Sequence, residues 1–359
     1  MCKRWAALKG GVSSTDGIRG RRLLLCAGLA AALLAVMVFA INLGAVNLKP
    51  SWILKIIVNT VSGRELFAAE WKPQAVSIVW NLRLPKVIAA AFIGASLTLS
   101  GIFMQALTKN PLGDPFILGV SSGASFGAVS AILLGGLPFI GSFPVQPGAF
   151  AGALTACALV FALSGENGRI MSSRLVLTGM AVSAIFGALT NLLIFITPDT
   201  HKINSAVFWM VGSLAGITWK QLPALAASFF TGLCVGLFTH RSLDIVLTGE
   251  ERAFTLGVDI KTLRRLLIAV SALLAAIAVS ISGVIGFVGL VVPHISRMLF
   301  GPVHRRLVPP ACLLGAAFMV LADVLARTLA KPEEMPAGII TALAGAPFFL
   351  HLLRRGMRR

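Results

Sequence analysis

Of 359 residues, 57% are hydrophobic and 12% charged, with a mean hydropathy of +0.89, a balance that excludes a soluble domain. Lys and Arg number 31 against 13 Asp and Glu, a net charge of +18. No aromatic-interleaved basic stretch or nucleic-acid reader motif accompanies that excess, so nucleic-acid binding is not expected and the charge reads as topological.

Residues 1–22 form a basic N-terminal segment. The apolar window 23–44 that follows is too long for most signal peptides and reads as an uncleaved first helix. Window 87–106 opens on the basic RLPK of 83–86, carries no charge and is rich in Gly, Ala and Ser, the composition of a helix that touches other helices. Asn110, Pro111, Asp114 and Pro115 then break helical hydrogen bonding before window 115–136, predicting a tight hairpin of two helices. Windows 147–164, 175–196 and 221–239 come next. The stretch 240–265, HRSLDIVLTGEERAFTLGVDIKTLRR, is the longest charged interruption after the N-terminus. Gly249 can end one turn, Glu250 and Glu251 suit a helix N-terminus, and Gly257 can stop that helix. Ala253, Phe254 and Leu256 give it an apolar side fit for a partner's groove, with a solvated loop lying on the membrane surface as the alternative.

Windows 265–283, 284–300, 307–328 and 337–353 complete a set of ten, and residues 354–359 are a basic tail. Pro293, Arg297 and the glycines 283, 286 and 289 mark 284–300 as a short or broken helix whose freed backbone needs a neighbour. Asp323 and Arg327 are spaced for an i,i+4 ion pair, with a proton relay as the sharper alternative. With the N-terminus inside, roughly two-thirds of the 31 basic residues fall on one face, placing both termini and the 240–265 loop in the cytoplasm. Trp52, Trp71, Trp80, Trp209 and Trp219 then lie near outer helix ends, either as an interfacial belt or as ordinary packing. The five cysteines have no CxxC or metal spacing, and His294 and His304 read as core or interface histidines, so no metal site is expected. HExxH, GxSxG and GxxxxGK[ST] are missing, and with them any recognisable hydrolytic or ATP-binding apparatus. The fold class is therefore an all-α integral membrane protein of about ten transmembrane helices, not itself an enzyme.

From about Arg83 to Arg354 the ordered motifs LRLPKVIAA, MQALTKNPLGDPFILGVSSGASFG, SSRLVLTGMAVS, FWMVGSLAG, GEERAFTLGV, GVIGFVGLVVPHISR, LADVLARTL and MPAGIITALAGAPFFLHLLRR resemble the permeases of bacterial ABC importers for ferric siderophores, haem and cobalamin. The resemblance implies a multi-pass protein of the bacterial inner membrane that pairs with a second permease protomer. It also implies two cytoplasmic ATPase subunits, which would bind ATP and Mg, and an extracytoplasmic binding protein that delivers the chelate, with a siderophore foremost. No cofactor is expected on this chain. By resemblance Gly249, Glu250, Glu251, Arg252, Ala253, Leu256 and Gly257 form the segment that meets the ATPase. Arg83, Lys86 and Arg327 match positions that present charge to the binding protein. Asn110, Leu112, Ser172 and Ser173 match cytoplasmic gate regions. An ion-coupled secondary transporter is the alternative reading, for which Asp323 is the candidate intramembrane acid.

Overall fold

The computed structural model describes residues 3–44, 46, 48–135, 145–166, 169–170, 172–330 and 333–356. Among them seven helices are long and apolar enough to cross a membrane, and three shorter apolar helices accompany them. In chain order the elements are α1 (Lys3–Asn42), α2 (Pro50–Ser62), α3 (Pro73–Ser77), a π-helical turn (Ile78–Arg83), α4 (Leu84–Thr108), a 3₁₀ turn (Pro115–Leu118), α5 (Val120–Leu134), α6 (Val145–Ser164) and α7 (Ser172–Ile196). There follow α8 (Thr200–Val211), a 3₁₀ turn (Trp219–Gln221), α9 (Leu222–Leu247), α10 (Glu250–Thr255), α11 (Ile260–Ser282), α12 (Val288–Phe300), α13 (His304–Leu329) and α14 (Ala337–Gly356). A two-residue antiparallel pairing, β1 (Gly165–Glu166) with β2 (Arg169–Ile170), joins α6 to α7.

Each expected window coincides with one of these long or short apolar helices, but several boundaries differ. The stretch 240–265 is mostly helix: α9 runs on to Leu247 and α11 starts at Ile260, leaving a compact elbow between them. The hairpin expected at the NPLGDP turn does not form, because Gly119, at φ +73°, redirects the chain after the 3₁₀ turn. As a result α5 packs on α6 and α7, while α4 packs on α13, α11, α9 and α12. Three helices had no counterpart in the reading of the sequence: α2 with Ile53 and Ile56 turned inward, the five-residue α3, and α8 capped by Asp199.

α4 is the central post, buried along most of its length. In a lipid surround, apolar burial does not drive helices together, and small residues that let backbones approach do that work. Gly94 lies against Gly315 of α13 so closely that a Cβ there would collide with the Gly315 carbonyl. Gly101 does the same against the Gly289 carbonyl of α12. Pro293, which lies inside α12, has no N–H to offer Gly289 four residues earlier, so that carbonyl is freed. The Cα hydrogen of Gly101 occupies the space in front of it, a weak C–H···O contact that meets the need for a neighbour.

Candidate functional site

The elbow between α9 and α11 is built from glycines and caps. Gly249, at φ +131°, turns the chain out of α9, and Gly257, at φ +77°, closes α10. Asp259 then caps α11, its Oδ1 accepting from the Lys261 and Thr262 amides at 3.1 Å each. The Thr262 hydroxyl, followed by those amides, holds the Asp259 carboxyl below its usual range. Ala253 is fully buried and anchors α10, but its apolar neighbours point the other way: Phe254 is 78% and Leu256 65% exposed. Glu251 and Arg252 are exposed as well. An open cleft of about 930 Å³ beside α10 is lined by Glu251, Phe254, Asp259, Lys261 and Arg265, among others.

Glu250 has a different position from its neighbour. Its Oε1 receives Lys109 Nζ at 3.1 Å and Arg264 Nη2 at 2.6 Å. One carboxylate thus joins α10 to the end of α4 and the start of α11. Partial burial opposes its ionisation, but the hydrogen bond from Lys109 and the charge of Arg264 outweigh that and hold it below the usual carboxylate range.

Lys109 opens the turn that carries two expected gate residues. It sits in the left-handed region at φ 51°, and Asn110 next to it folds the turn by accepting from the Leu112 amide at 2.9 Å. Asp114 accepts from the Phe116 amide at 2.8 Å, while burial pushes its carboxyl up to about 6. The 3₁₀ turn that follows packs on α7, whose Gly179 fits directly against the Ile117 carbonyl. Ser173 is exposed at the start of that helix; Ser172 opens it, but its side chain lies outside the described residues. The two gate segments therefore lie on neighbouring elements, since the 3₁₀ turn after Asp114 packs on α7.

Arg83, Lys86 and Arg327 are brought together at the opposite end of α4, but they face inward. They are 6%, 8% and 4% exposed. Arg83 donates to the carbonyls of Ile41 at 2.9 Å, Asn42 at 3.1 Å and Val46. Arg327 donates to those of Leu43 at 3.0 Å and Ala40 at 3.2 Å. The last carbonyls of a helix have no partner within it and carry its negative dipole end, so two guanidinium groups close the end of α1. Gly44 makes room for the Arg83 head. Lys86 Nζ lies 3.4 Å from Asp323 Oδ1 and 2.6 Å from Glu334 Oε2. The predicted Asp323–Arg327 pair is present, Nη2 to Oδ2 at 2.8 Å, an ion contact without hydrogen-bond alignment. The three basic groups expected to face the binding protein are thus buried in this structure, where helix-end carbonyls and a buried acid bind them from within.

Sequence reasoning missed Glu334, the carbonyl cradle and two further links. Asp244 Oδ1 accepts from the His304 amide at 2.9 Å and faces its Nδ1 at 2.7 Å, tying α9 to α13. Arg297 bonds Gln105, which in turn donates to the Leu290 carbonyl at 3.2 Å, tying α12 to α4. Sequence separations of 60 to 192 residues hide such pairs from any local pattern.

Comparison with known proteins agrees with this architecture. The cobalamin import system permease of Halobacterium salinarum is 47% identical over 277 residues, 77% of this chain and 73% of its own. The hemin transport system permease of Yersinia pestis is 40% identical over 296 residues, 80% of this chain and 88% of its own. A solved inward-facing structure of a putative metal-chelate type ABC transporter superposes with a TM-score of 0.79 at 34% identity, covering 92% of this chain and 99% of that one. The description of the FecCD transport family matches residues 32–355, and with relatives at this identity over most of its length the chain belongs to that family of multi-pass ABC-transporter permeases.

Proposed function

We propose that this chain is the membrane subunit of an ATP-driven importer in the cytoplasmic membrane, moving a metal chelate handed over by an extracytoplasmic binding protein. The observation that carries the proposal is the Glu250 bridge, which joins the elbow to the gate turn through Lys109 and to α11 through Arg264. A force applied to α10 reaches both at once. The exposed Phe254 and Leu256 beside it are apolar groups outside the membrane spans, suited to an ATPase groove. Both termini and the elbow then face the cytoplasm, as the basic-residue bias favours. A second permease copy, two ATPase subunits carrying ATP and Mg, and the binding protein complete the assembly. Lys86 and its exposed partner Glu334 lie at the outer rim in this orientation, where acidic lobes of a binding protein would compete with Glu334 for the ammonium.

The cargo belongs to the metal-chelate class. The two relatives described above are named for cobalamin and haem, so those macrocycles enter the test beside a ferric siderophore. The experiment is uptake into proteoliposomes containing the chain, its ATPase and its binding protein. Phe254→Ala with Leu256→Ala should weaken ATPase association at least about tenfold, since each removes a contact of more than about 1 kcal/mol. Glu250→Gln should leave association intact and lower the uptake obtained per ATP. Uptake driven by an ion gradient without the ATPase would overturn the proposal in favour of secondary transport.

A further inference from the structure

An apolar groove of about 460 Å³ opens between α1, α4, α9 and α13, with no polar lining surface. Its walls include Met37 of α1, Ala91 of α4, Leu233 and Leu237 of α9, and Pro309 and Leu313 of α13. Leu237 is 42% exposed, so the groove faces the surroundings of the bundle and not its core. In a membrane protein those surroundings are acyl chains.

What selects among lipids is the groove's end. The row Leu233, Leu237 on α9 continues at the same four-residue spacing to Arg241, and the row Leu313, Pro309 on α13 continues to Arg305. Both arginines are exposed, as is Arg306 beside them. They are held at one level because Asp244, one turn beyond Arg241, binds both the amide and the Nδ1 of His304, the residue before Arg305. The same bond occupies the acid on that face. From Arg241 to Phe229, the far end of the groove on α9, the helix rises about 18 Å, close to the roughly 15 Å of one leaflet's hydrocarbon.

We infer that this groove is a binding site for an anionic phospholipid, one acyl chain lying along α9 and α13 and the phosphate meeting Arg241 and Arg305. The inference rests on the proposed function only in naming the leaflet as cytoplasmic, and its test needs no transport. The purified full-length chain is equilibrated with equal amounts of phosphatidylglycerol and phosphatidylcholine of identical acyl chains, and retained lipid is read by native mass spectrometry. Two basic residues at about 1 kcal/mol each give a preference for phosphatidylglycerol of about thirtyfold at low salt. Arg241→Gln with Arg305→Gln should bring the two lipids near parity, and Arg241→Lys with Arg305→Lys should keep most of the preference. Ala91→Phe, which fills the groove from α4, should lower retention of both lipids. Thermal melting confirms that each variant is folded. Equal retention of the two lipids by the unaltered chain overturns the inference, as does a preference that survives the double Gln change. So does a groove closed by a second copy, seen as a lipid-free dimer that Ala91→Phe dissociates.

Discussion

Replacing Asp323 by Asn separates two roles that a carboxylate inside a membrane helix can have. Asp323 is 1% exposed and lies 3.4 Å from Lys86 Nζ and 2.8 Å from Arg327 Nη2. Removing one partner of a buried pair leaves an uncompensated charge and costs about 3–5 kcal/mol. Here Lys86 keeps Glu334, and Arg327 keeps the Leu43 and Ala40 carbonyls, which places the loss at the low end, about 3 kcal/mol. Glu334→Gln breaks a pair whose acid is 41% exposed, so its loss is at most about 1 kcal/mol. Chemical unfolding of the two variants in detergent, next to the parent, reads the difference. A proton relay makes the opposite prediction: Asp323→Asn would fold like the parent and lose any pH dependence of uptake. A stability loss for Asp323→Asn no larger than for Glu334→Gln refutes the structural assignment.

Two further outcomes follow from backbone geometry and titration. Gly101→Val should cost about 3 kcal/mol by forcing α4 off the Gly289 carbonyl, whereas Gly28→Ala on α1, with nothing within 4 Å, should gain up to about 1 kcal/mol; melting curves compare them. Asp114 keeps its proton up to about pH 6 when folded, against an ordinary value of 3.8, so the folded chain holds the extra proton between those values and stability falls as pH rises through that window. Asp114→Asn retains the acceptor for the Phe116 amide and should remove that fall, a gain at pH 7 of no more than about 3 kcal/mol; unchanged pH dependence of melting would disprove the shift.

The spans were legible because membrane crossing depends on length and polarity, which a sequence displays directly. The elbow was legible too, since Gly249, Glu250 and Gly257 announce a short helix by local rules. α2 and α8 were not, because each is a short helix beside a span and neither reaches the length or continuous apolarity that marks one. The orientation of Arg83 was hidden for a different reason. Its partners are main-chain carbonyls of Ile41 and Asn42, and carbonyls carry no signature in the sequence. The short helix α12 was anticipated as short or broken from Pro293 and its glycines, but its neighbour Gly101 could be found only once α4 and α12 were seen side by side.

The two ends of α4 differ in how firmly they are tied. At one end Lys86 joins the buried cluster of Asp323 and Arg327, with Arg83 closing α1 beside it, and breaking such contacts costs several kcal/mol. At the other, beyond the Gln105 links to Arg297 and the Leu290 carbonyl of α12, the last tie is Lys109 to Glu250, a pair whose side chains are 35% and 48% exposed, worth at most about 1 kcal/mol. Between them the helix is packed along most of its length and cannot bend without opening cavities. A rigid rod held firmly at one end and loosely at the other moves at the loose end. On the proposed reading that end is the cytoplasmic one, where Glu250 also grips Arg264 of α11. On that reading a displacement of α10 would shift the gate turn before it disturbs the outer cluster.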